Sequence, residues 1–367
     1  MYKFLIIFVL YQLFSMTIIL CQENSQCITP TELDGICINI KNCPPLIEAL
    51  RRSKQNPNYR ELLQQSRCGQ QNRDVLVCCP GQAKPDQPKQ KEAMTQQTYP
   101  LPSADVCGSQ AKDAELPRIV GGFDVNAGQF PWVVALGYSE SRSEPNWLCG
   151  GTIITQRHIL SAAHCIRDDL YIVRYGTLNI HTDPYPRDVL VEEARRHEQY
   201  DATYISNDIS IIKVAEDIQF TDTPLVRPIC LPVDPPIRNM KFERTYPFVA
   251  GWGSLWFNGP SSDRLQGLQL PIVTNAQCKN KFANFKSAVI DDRVICAGFT
   301  KGSKDSCRGD SGGPLMWPYA PPGSEQKQIK FFQIGVISYG YRCAEPGFPG
   351  VYVRVTQYID WILSKLY

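Results

Sequence analysis

Ser311 lies in a run of small residues that could expose its hydroxyl group as a nucleophile. The run reads Gly309-Asp310-Ser311-Gly312-Gly313-Pro314, and its glycines permit the tight turn that such an exposed side chain needs. Far upstream, Arg118 is followed by Ile119-Val120-Gly121-Gly122, and a cut after this arginine would free a new amino terminus. Together the two features predict an enzyme that is synthesised in an inactive form and activated by one cleavage.

A serine hydroxyl is a weak nucleophile and needs an adjacent base. Among the four histidines of the chain, His164 lies in Ser161-Ala162-Ala163-His164-Cys165, where the cysteine could anchor it. Asp208 stands at the entry to an apolar run, where a buried carboxylate could orient an imidazole and stabilise its charged form. Alone, each is more typical of a structural histidine or a turn aspartate. The chain order His, Asp, Ser matches one known arrangement of a catalytic triad.

The elements that would position these residues are short β-rich runs separated by Gly, Pro, Asn and Asp. This texture begins at Ile119 and predicts an all-β barrel or sandwich. One helix is predicted at the carboxyl end, where Val355, Ile359, Ile362 and Leu366 recur at helical spacing.

The first part of the chain has too few large apolar residues for an ordinary core, and six cysteines crowd into it: Cys27, Cys37, Cys43, Cys68, Cys78 and Cys79. Covalent bridges are therefore expected to hold it together. Six cysteines allow about fifteen pairings, and their spacing does not choose among them. A zinc site is disfavoured because the segment has no Cys-x-x-Cys pair and no histidine. A short helix is predicted up to Gln65, with Asn58 as a candidate N-cap.

Four further features concern location, domain organisation and partners. Residues Phe4 to Leu20 are mostly apolar and predict a secretory signal peptide that ends near Cys21; a retained membrane anchor is the alternative. Fifteen cysteines also suit a secreted protein. Gly81 to Val106 is rich in Pro, Gln and Lys, as linkers are. A net charge of +2 argues against a nucleic-acid partner held by bulk charge.

The motifs around Arg118, His164, Asp208 and Ser311 resemble those of the trypsin-like serine proteases, which have the chymotrypsin fold. The likeness covers residues 119–367 and implies two six-stranded antiparallel β-barrels with a carboxyl-terminal helix. It implies that His164 is the general base, Asp208 its orienting partner and Ser311 the nucleophile. The amides of Gly309 and Ser311 would form the oxyanion hole.

The same resemblance implies how cleavage activates the enzyme and what it cuts. The freed amine of Ile119 would pair with Asp310, because a buried carboxylate without a partner is costly. Asp305, with Ser306 beside it, would form the base of the specificity pocket, and Ser338, Gly340 and Gly350 would line it. A carboxylate there selects Arg or Lys through charge-assisted hydrogen bonds.

The six-cysteine segment resembles the clip domain of arthropod serine proteases, an identification supported by the adjacent pair Cys78-Cys79. The resemblance implies seven disulfides: Cys27–Cys78, Cys37–Cys68, Cys43–Cys79, Cys107–Cys230, Cys149–Cys165, Cys278–Cys296 and Cys307–Cys343. The expected organisation is a signal peptide (1–21), a clip domain (27–79), a linker and activation segment (80–118) and a protease domain (119–367).

These resemblances imply a secreted zymogen endopeptidase that cuts after Arg or Lys, either in a proteolytic cascade such as prophenoloxidase activation, cytokine processing or clotting, or in venom. The implied partners are a protein substrate, an upstream activating protease and serpin-type inhibitors, with no nucleic acid and no membrane after signal removal. No cofactor or metal is expected; calcium near Thr177 is left open. The alternative is a non-catalytic clip protease homologue that acts as an adaptor.

Overall fold

The structure, a computed structural model, describes most of the chain. The described ranges are 25–30, 34–52, 57–71, 74–80, 98–111, 122–142, 144–183, 187–220, 225–254, 259–299, 309–320, 329–340, 345 and 347–367. The chain divides into two compact units, Met1–Thr95 and Gln96–Tyr367.

The smaller unit is a four-stranded antiparallel sheet with two helices. Its strands are β1 (Gln26–Ile28), β2 (Asp34–Asn39), β3 (Arg67–Gln71) and β4 (Asp74–Pro80), in the order β1-β2-β4-β3. The helices are α1 (Pro44–Arg52) and α2 (Pro57–Gln65). The predicted helix is present as α2, but it begins at Pro57, so Asn58 lies in its first turn and is not its N-cap. Helix α1 had no counterpart in the sequence prediction.

Three disulfides hold the smaller unit, Cys27–Cys78, Cys37–Cys68 and Cys43–Cys79. They are the three pairs that the clip resemblance implies. The apolar core beneath them is small and centres on Ile36, Ile38, Leu46 and Val77. Native bridges in small disulfide-rich domains are typically worth about 2–5 kcal/mol each, so the bridges and this core stabilise the unit together.

The larger unit begins with a closed six-stranded barrel, whose strands follow the order β10-β11-β8-β7-β6-β9. Their bounds are β6 (Val133–Tyr138), β7 (Asn146–Ile153), β8 (His158–Ser161), β9 (Leu170–Tyr175), β10 (Arg187–Arg196) and β11 (Ser210–Val214). Strand β6 is buried along its whole length, which suits its uninterrupted apolar sequence. Strand β10 is largely polar, and its Val189 is buried between the exposed residues Asp188 and Leu190.

The second half of the larger unit is an eight-stranded sheet, β14-β15-β18-β17-β16-β12-β13-β5. Its strands are β5 (Phe123–Asp124), β12 (Phe248–Gly251), β13 (Gln266–Gln269), β14 (Ile272–Val273), β15 (Val294–Ala297), β16 (Pro314–Tyr319), β17 (Lys330–Tyr339) and β18 (Gly350–Arg354). Where two six-stranded barrels were expected, the described residues form one closed barrel and this half-barrel.

Two helices accompany the sheets of the larger unit, α3 (Asn275–Lys281) and α4 (Ile359–Ser364). The predicted carboxyl-terminal helix is present as a single 3₁₀ turn, Val355–Gln357, that leads into α4. No helix in the described part of the chain is both long enough and apolar enough to cross a membrane.

The two halves of the larger unit meet at a cluster of buried aromatic rings, Phe130, Trp132, Phe248 and Phe331. Ring centroids in this cluster lie 5.5 to 6.3 Å apart. Aromatic pairs of this kind typically add about 0.5–1.5 kcal/mol each beyond their burial. The cluster therefore fixes the barrel against the half-barrel, and the candidate site lies between these two halves.

Residues 98–111, here called the strap, lie on the larger unit. The amide of Gly108 donates to the Pro228 carbonyl at 2.8 Å, and the Gly108 carbonyl accepts from the Phe331 amide at 2.9 Å. Cys107 forms a disulfide with Cys230, and the Lys330 ammonium donates to the Ser109 hydroxyl at 2.6 Å. Although composition assigns the strap to the linker and activation segment, backbone, side-chain and covalent links all join it to the larger unit.

The upstream end of the strap covers a completely buried histidine. The Tyr99 ring lies edge-on to the His158 ring, with their centroids 5.3 Å apart, and the Tyr99 amide donates to the Leu366 carbonyl. His158 Nδ1 lies 2.8 Å from the Thr155 hydroxyl. Burial lowers the pKa of His158 to about 4, so this side chain is neutral at pH 7.

We expect this buried histidine to make the larger unit less stable in acid. Below about pH 6.5 the unfolded chain binds a proton at His158, which the folded chain accepts only near pH 4. The free energy of unfolding therefore falls by up to about 3 kcal/mol between these values. Urea denaturation from pH 7 to 4 measures the slope. We expect a smaller slope for His158→Gln, and equal slopes in the variant and the wild type would contradict the assignment. The control is His181→Gln, because the His181 side chain is 59% exposed.

Candidate active site

Ser311 lies in a turn that requires glycine on both sides. Gly309 and Gly312 have φ angles of +97° and +81°, in the left-handed region that favours glycine. A Cβ atom added to Gly312 would lie 2.2 Å from the Ser161 hydroxyl and 2.5 Å from the Gly150 carbonyl oxygen. The Gly313 amide donates to the Asp310 carbonyl and closes the turn, and the Gly312 amide donates to the Ile337 carbonyl of β17. Only glycine therefore fits at position 312, directly after the serine.

His164 lies in the 3₁₀ turn Ala163–Cys165, which begins just after β8 ends. A disulfide connects this turn to β7. The bridge joins Cys149 to Cys165. The Cys165 sulfur is 3.7 Å from His164 Nε2 and 3.5 Å from the Ser311 carbonyl oxygen. The Cys165 sulfur thus contacts both the imidazole of the barrel and the backbone of the serine turn of the half-barrel. Its sulfurs are bonded to each other and cannot act as thiolate ligands for a metal.

Asp208 is completely buried beside His164. One carboxylate oxygen accepts from the His164 amide at 2.9 Å, and the other lies 2.8 Å from His164 Nδ1. The second oxygen also accepts from the Ser338 hydroxyl at 2.5 Å. With Nδ1 directed at the carboxylate, Nε2 is left as the nitrogen that can accept a proton from a nucleophile.

Two opposing effects set the pKa of Asp208. Burial alone raises the pKa of a carboxyl group, because it disfavours the charged form. Here the hydrogen bonds from His164 and Ser338 and the charge of the imidazole outweigh burial and hold the Asp208 pKa below its usual value. The carboxylate is therefore ionised at neutral pH and can stabilise a positively charged His164.

Asp310 is held in a pocket that two glycines make possible. Its Oδ1 accepts from the Gly253 amide at 2.8 Å. A Cβ atom added to Gly251 would lie 2.0 Å from this oxygen, and one added to Gly253 would lie 2.4 Å from the carboxyl carbon. The sequence shows a glycine on each side of Trp252. No local pattern connects these glycines with Asp310, which follows Gly253 by 57 residues.

The amides of Gly309 and Ser311 lie on either side of Asp310. Within the described ranges neither amide donates a hydrogen bond, so both N–H groups remain free to bind an oxyanion. Because the turn connects these amides to Asp310, the position of the Asp310 carboxylate controls where they point.

The other predicted site residues are only partly within the described chain. Ser338 and Gly340 lie at and just beyond the end of β17, and Gly350 begins β18. The structure assigns Ser338 a contact that the sequence analysis missed, since its hydroxyl binds Asp208. The pocket residues Asp305 and Ser306, the cleavage residues Arg118 and Ile119, and the pair Cys307–Cys343 lie outside the described residues.

The loop considered for calcium is held by protein groups. The Thr177 hydroxyl donates to the Asn179 carbonyl at 2.8 Å. Arg174 forms a two-pronged ion pair with Asp188, at 2.8 and 2.7 Å, and also donates to the Ile180 carbonyl. The guanidinium group thus supplies a positive charge at this loop, and Asp188 is engaged with it.

The three disulfides described in the larger unit are Cys107–Cys230, Cys149–Cys165 and Cys278–Cys296. Each is among the pairs that the resemblance to clip proteases implies.

Comparison with known proteins agrees with this geometry. Residues 119–362 match the trypsin family, and residues 27–79 match the family described as the regulatory CLIP domain of proteinases. The chain is 42% identical to the venom serine protease Bi-VSP of Bombus ignitus, over 91% of this chain and 90% of that protein. It is 35% identical to the Spaetzle-processing enzyme of Drosophila melanogaster, over 92% and 91% of the two chains.

A solved structure is similar as well. The crystal structure of the Drosophila Grass clip serine protease of the Toll pathway matches with a TM-score of 0.60 and 29% sequence identity. The match covers 93% of this chain and 97% of that one.

We expect Gly253→Ala to impair the site without unfolding the protein. The added Cβ atom would displace the Asp310 carboxylate, and with it the amides of Gly309 and Ser311. Loss of an oxyanion donor typically lowers kcat by about two orders of magnitude, and we expect a fall of that size in kcat/KM. Gly335→Ala is the control, since the atoms nearest to its added Cβ would be side-chain atoms of Leu315 and Tyr352, at 3.1–3.2 Å. Equal losses of activity in both variants would contradict the role of the Asp310 pocket.

Proposed function

We propose that this chain, which belongs to the trypsin-like serine proteases that carry an amino-terminal clip domain, is a secreted zymogen activated by one cut. Family membership makes it a trypsin-like serine endopeptidase. The proposal concerns how it is activated, what it cuts and where it acts.

The arrangement of His164, Asp208 and Ser311 is the observation that supports catalytic activity. The buried carboxylate holds the imidazole by its Nδ1 side, and the Cys165 sulfur lies 3.7 Å from the imidazole Nε2 and 3.5 Å from the Ser311 carbonyl oxygen. In the proposed reaction Ser311 attacks the carbonyl carbon of the scissile bond, and His164 accepts the serine proton and passes it to the leaving amine. The free amides of Gly309 and Ser311 would bind the developing oxyanion.

The Asp310 pocket supports activation by cleavage after Arg118. Two glycines leave room for a carboxylate at a point that controls the oxyanion amides. A new amino terminus at Ile119 would bring a positive charge to this carboxylate. An ion pair between this amine and the Asp310 carboxylate would draw the carboxylate, and with it the turn that carries the oxyanion amides, into its working conformation. The disulfide Cys107–Cys230 would keep the clip-bearing chain attached after the cut.

For specificity we propose cleavage after Arg or Lys, with Asp305 at the base of the pocket and Ser306, Gly340 and Gly350 around it. The names of two relatives support the biological setting that we propose. One is named a venom protease and another a Spaetzle-processing enzyme, so we propose a role in an extracellular proteolytic cascade or in venom. An upstream protease would cut Arg118, and serpin-type inhibitors would stop the enzyme.

The activation step is tested with Arg118→Ala. We expect a trypsin-like protease to convert the wild type into an enzyme whose heavy chain begins at Ile119, and to leave the variant inactive because the cleavable bond is gone. Amino-terminal sequencing and labelling by a serine-directed phosphonate measure the two effects, with Ser311→Ala as the control.

Equal labelling of the intact precursor and the cut protein, or a heavy chain that begins elsewhere, would contradict activation at Arg118. Equal labelling of the cut wild type and Ser311→Ala would favour the adaptor alternative.

The specificity is tested with Asp305→Ser. Removing the carboxylate removes the charge-assisted hydrogen bonds to the substrate guanidinium, so we expect kcat/KM on arginyl peptides to fall by about a hundredfold or more. Labelling by a phosphonate with an uncharged side chain should persist, which shows that the triad is intact. Retained arginyl cleavage would mean that the pocket lies elsewhere.

A further inference from the structure

Asn207, the residue before Asp208, has an unusual backbone conformation. Its φ angle is +53°, in the left-handed region that few residues other than glycine adopt and that asparagine tolerates. The Ile209 amide donates to the Asn207 carbonyl at 2.8 Å. Asp208 is therefore the central residue of a very tight turn, and the direction of its side chain depends on the backbone of Asn207.

Three hydrogen bonds hold the Asn207 side chain. Its Oδ1 accepts from the Tyr358 hydroxyl at 2.8 Å and from the Arg293 guanidinium at 3.2 Å. Its Nδ2 donates to the Gln199 carbonyl at 2.7 Å. The amide has no freedom to rotate without losing at least one of these contacts.

The two side chains that bind Oδ1 are themselves fixed. Arg293 forms ion-paired hydrogen bonds of 2.7 to 3.1 Å with Asp291, and this contact lowers the pKa of Asp291. Tyr358 is 5% exposed, and its ring lies edge-on to the His197 ring, with 5.4 Å between centroids. Arg293 precedes β15 and Tyr358 precedes α4, so both belong to the carboxyl-terminal half of the larger unit.

The preceding loop is also under conformational constraint. Ile205 has a φ angle of +43°, which is costly for a β-branched residue. Paired backbone hydrogen bonds between Asp201 and Ser206 close this loop at 3.1 Å each. Two left-handed residues so close to Asp208 persist only where surrounding contacts hold them.

We propose that Asn207 is a positioning residue, through which Tyr358 and Arg293 of the carboxyl-terminal half hold the catalytic aspartate in register with His164. Each oxygen of Asp208 has its own donor on His164. A rotation of the backbone at Asp208 would therefore break both contacts together. The inference rests on the proposed catalytic function of His164, Asp208 and Ser311.

The test compares Tyr358→Phe and Asn207→Gly with the wild type after cleavage at Arg118. Tyr358→Phe removes only the hydroxyl, and glycine at position 207 keeps the left-handed backbone accessible while removing the side chain. We expect kcat on an arginyl peptide to fall about fivefold in Tyr358→Phe, the effect of about one hydrogen bond, and further in Asn207→Gly. KM should change by less than about twofold, because neither residue is in the substrate pocket.

A double variant separates positioning from general stabilisation. If Tyr358 acts through Asn207, adding Tyr358→Phe to Asn207→Gly lowers kcat no further. The matched control is Thr155→Val, which also removes a buried hydroxyl, here the one that lies 2.8 Å from His158 Nδ1 in the hairpin between β7 and β8. Its effect should multiply with that of Asn207→Gly. Multiplicative effects of Tyr358→Phe and Asn207→Gly, or an unchanged kcat with a lowered melting temperature, would overturn the inference.

A measurement that needs no turnover keeps this inference distinct from the proposed function. The proton between His164 Nδ1 and Asp208 should give a low-field proton NMR signal, which we expect to move or broaden in Tyr358→Phe and Asn207→Gly but not in Thr155→Val. If the wild type hydrolysed nothing, the proposed function would fail and this signal would still decide the positioning. An identical signal in all the variants would overturn it.

Discussion

The charge on Asp208 is the constraint around which the larger unit is arranged. A carboxylate with no exposure to water is stable only if its hydrogen bonds and neighbouring charges replace hydration. Here the barrel supplies two donors from His164 and the half-barrel supplies one from Ser338. Because the two halves share one buried charge, they cannot separate or slide without exposing an uncompensated acid, and the aromatic cluster between them provides the apolar part of the same junction.

The parts of the site that the sequence predicts are those whose requirements are local. Glycines around Ser311 are needed because the turn there has positive φ angles and close backbone contacts, and a run of small residues reveals such a requirement. The contact between Ser338 and Asp208 spans 130 residues. No local pattern indicates which acid a strand-end serine meets, so sequence analysis placed Ser338 only in the pocket wall.

The fold shows the same division. Short β-rich runs predict strands, but which of them pair depends on contacts between distant segments. The chymotrypsin-like arrangement of barrel and half-barrel was therefore predicted by the family resemblance and not by the strand pattern. Helix α1 escaped prediction because it begins at Pro44-Pro45, a pair that reads as a loop although proline suits the first turn of a helix. The strap was read as linker because its composition is polar, whereas a few specific bonds fix it.

The strap has a consequence for the way the protein opens. A segment bonded to its surroundings at Tyr99, Gly108 and Ser109, and linked to them by the Cys107–Cys230 disulfide, cannot fray like a chain end. The Tyr99 and Gly108 amides, which donate to carbonyls of the larger unit, would therefore exchange with solvent slowly, together with the strands they contact. A nick at residue 118 would create two new ends, and the strap would stay bonded to the larger unit on one side of the cut.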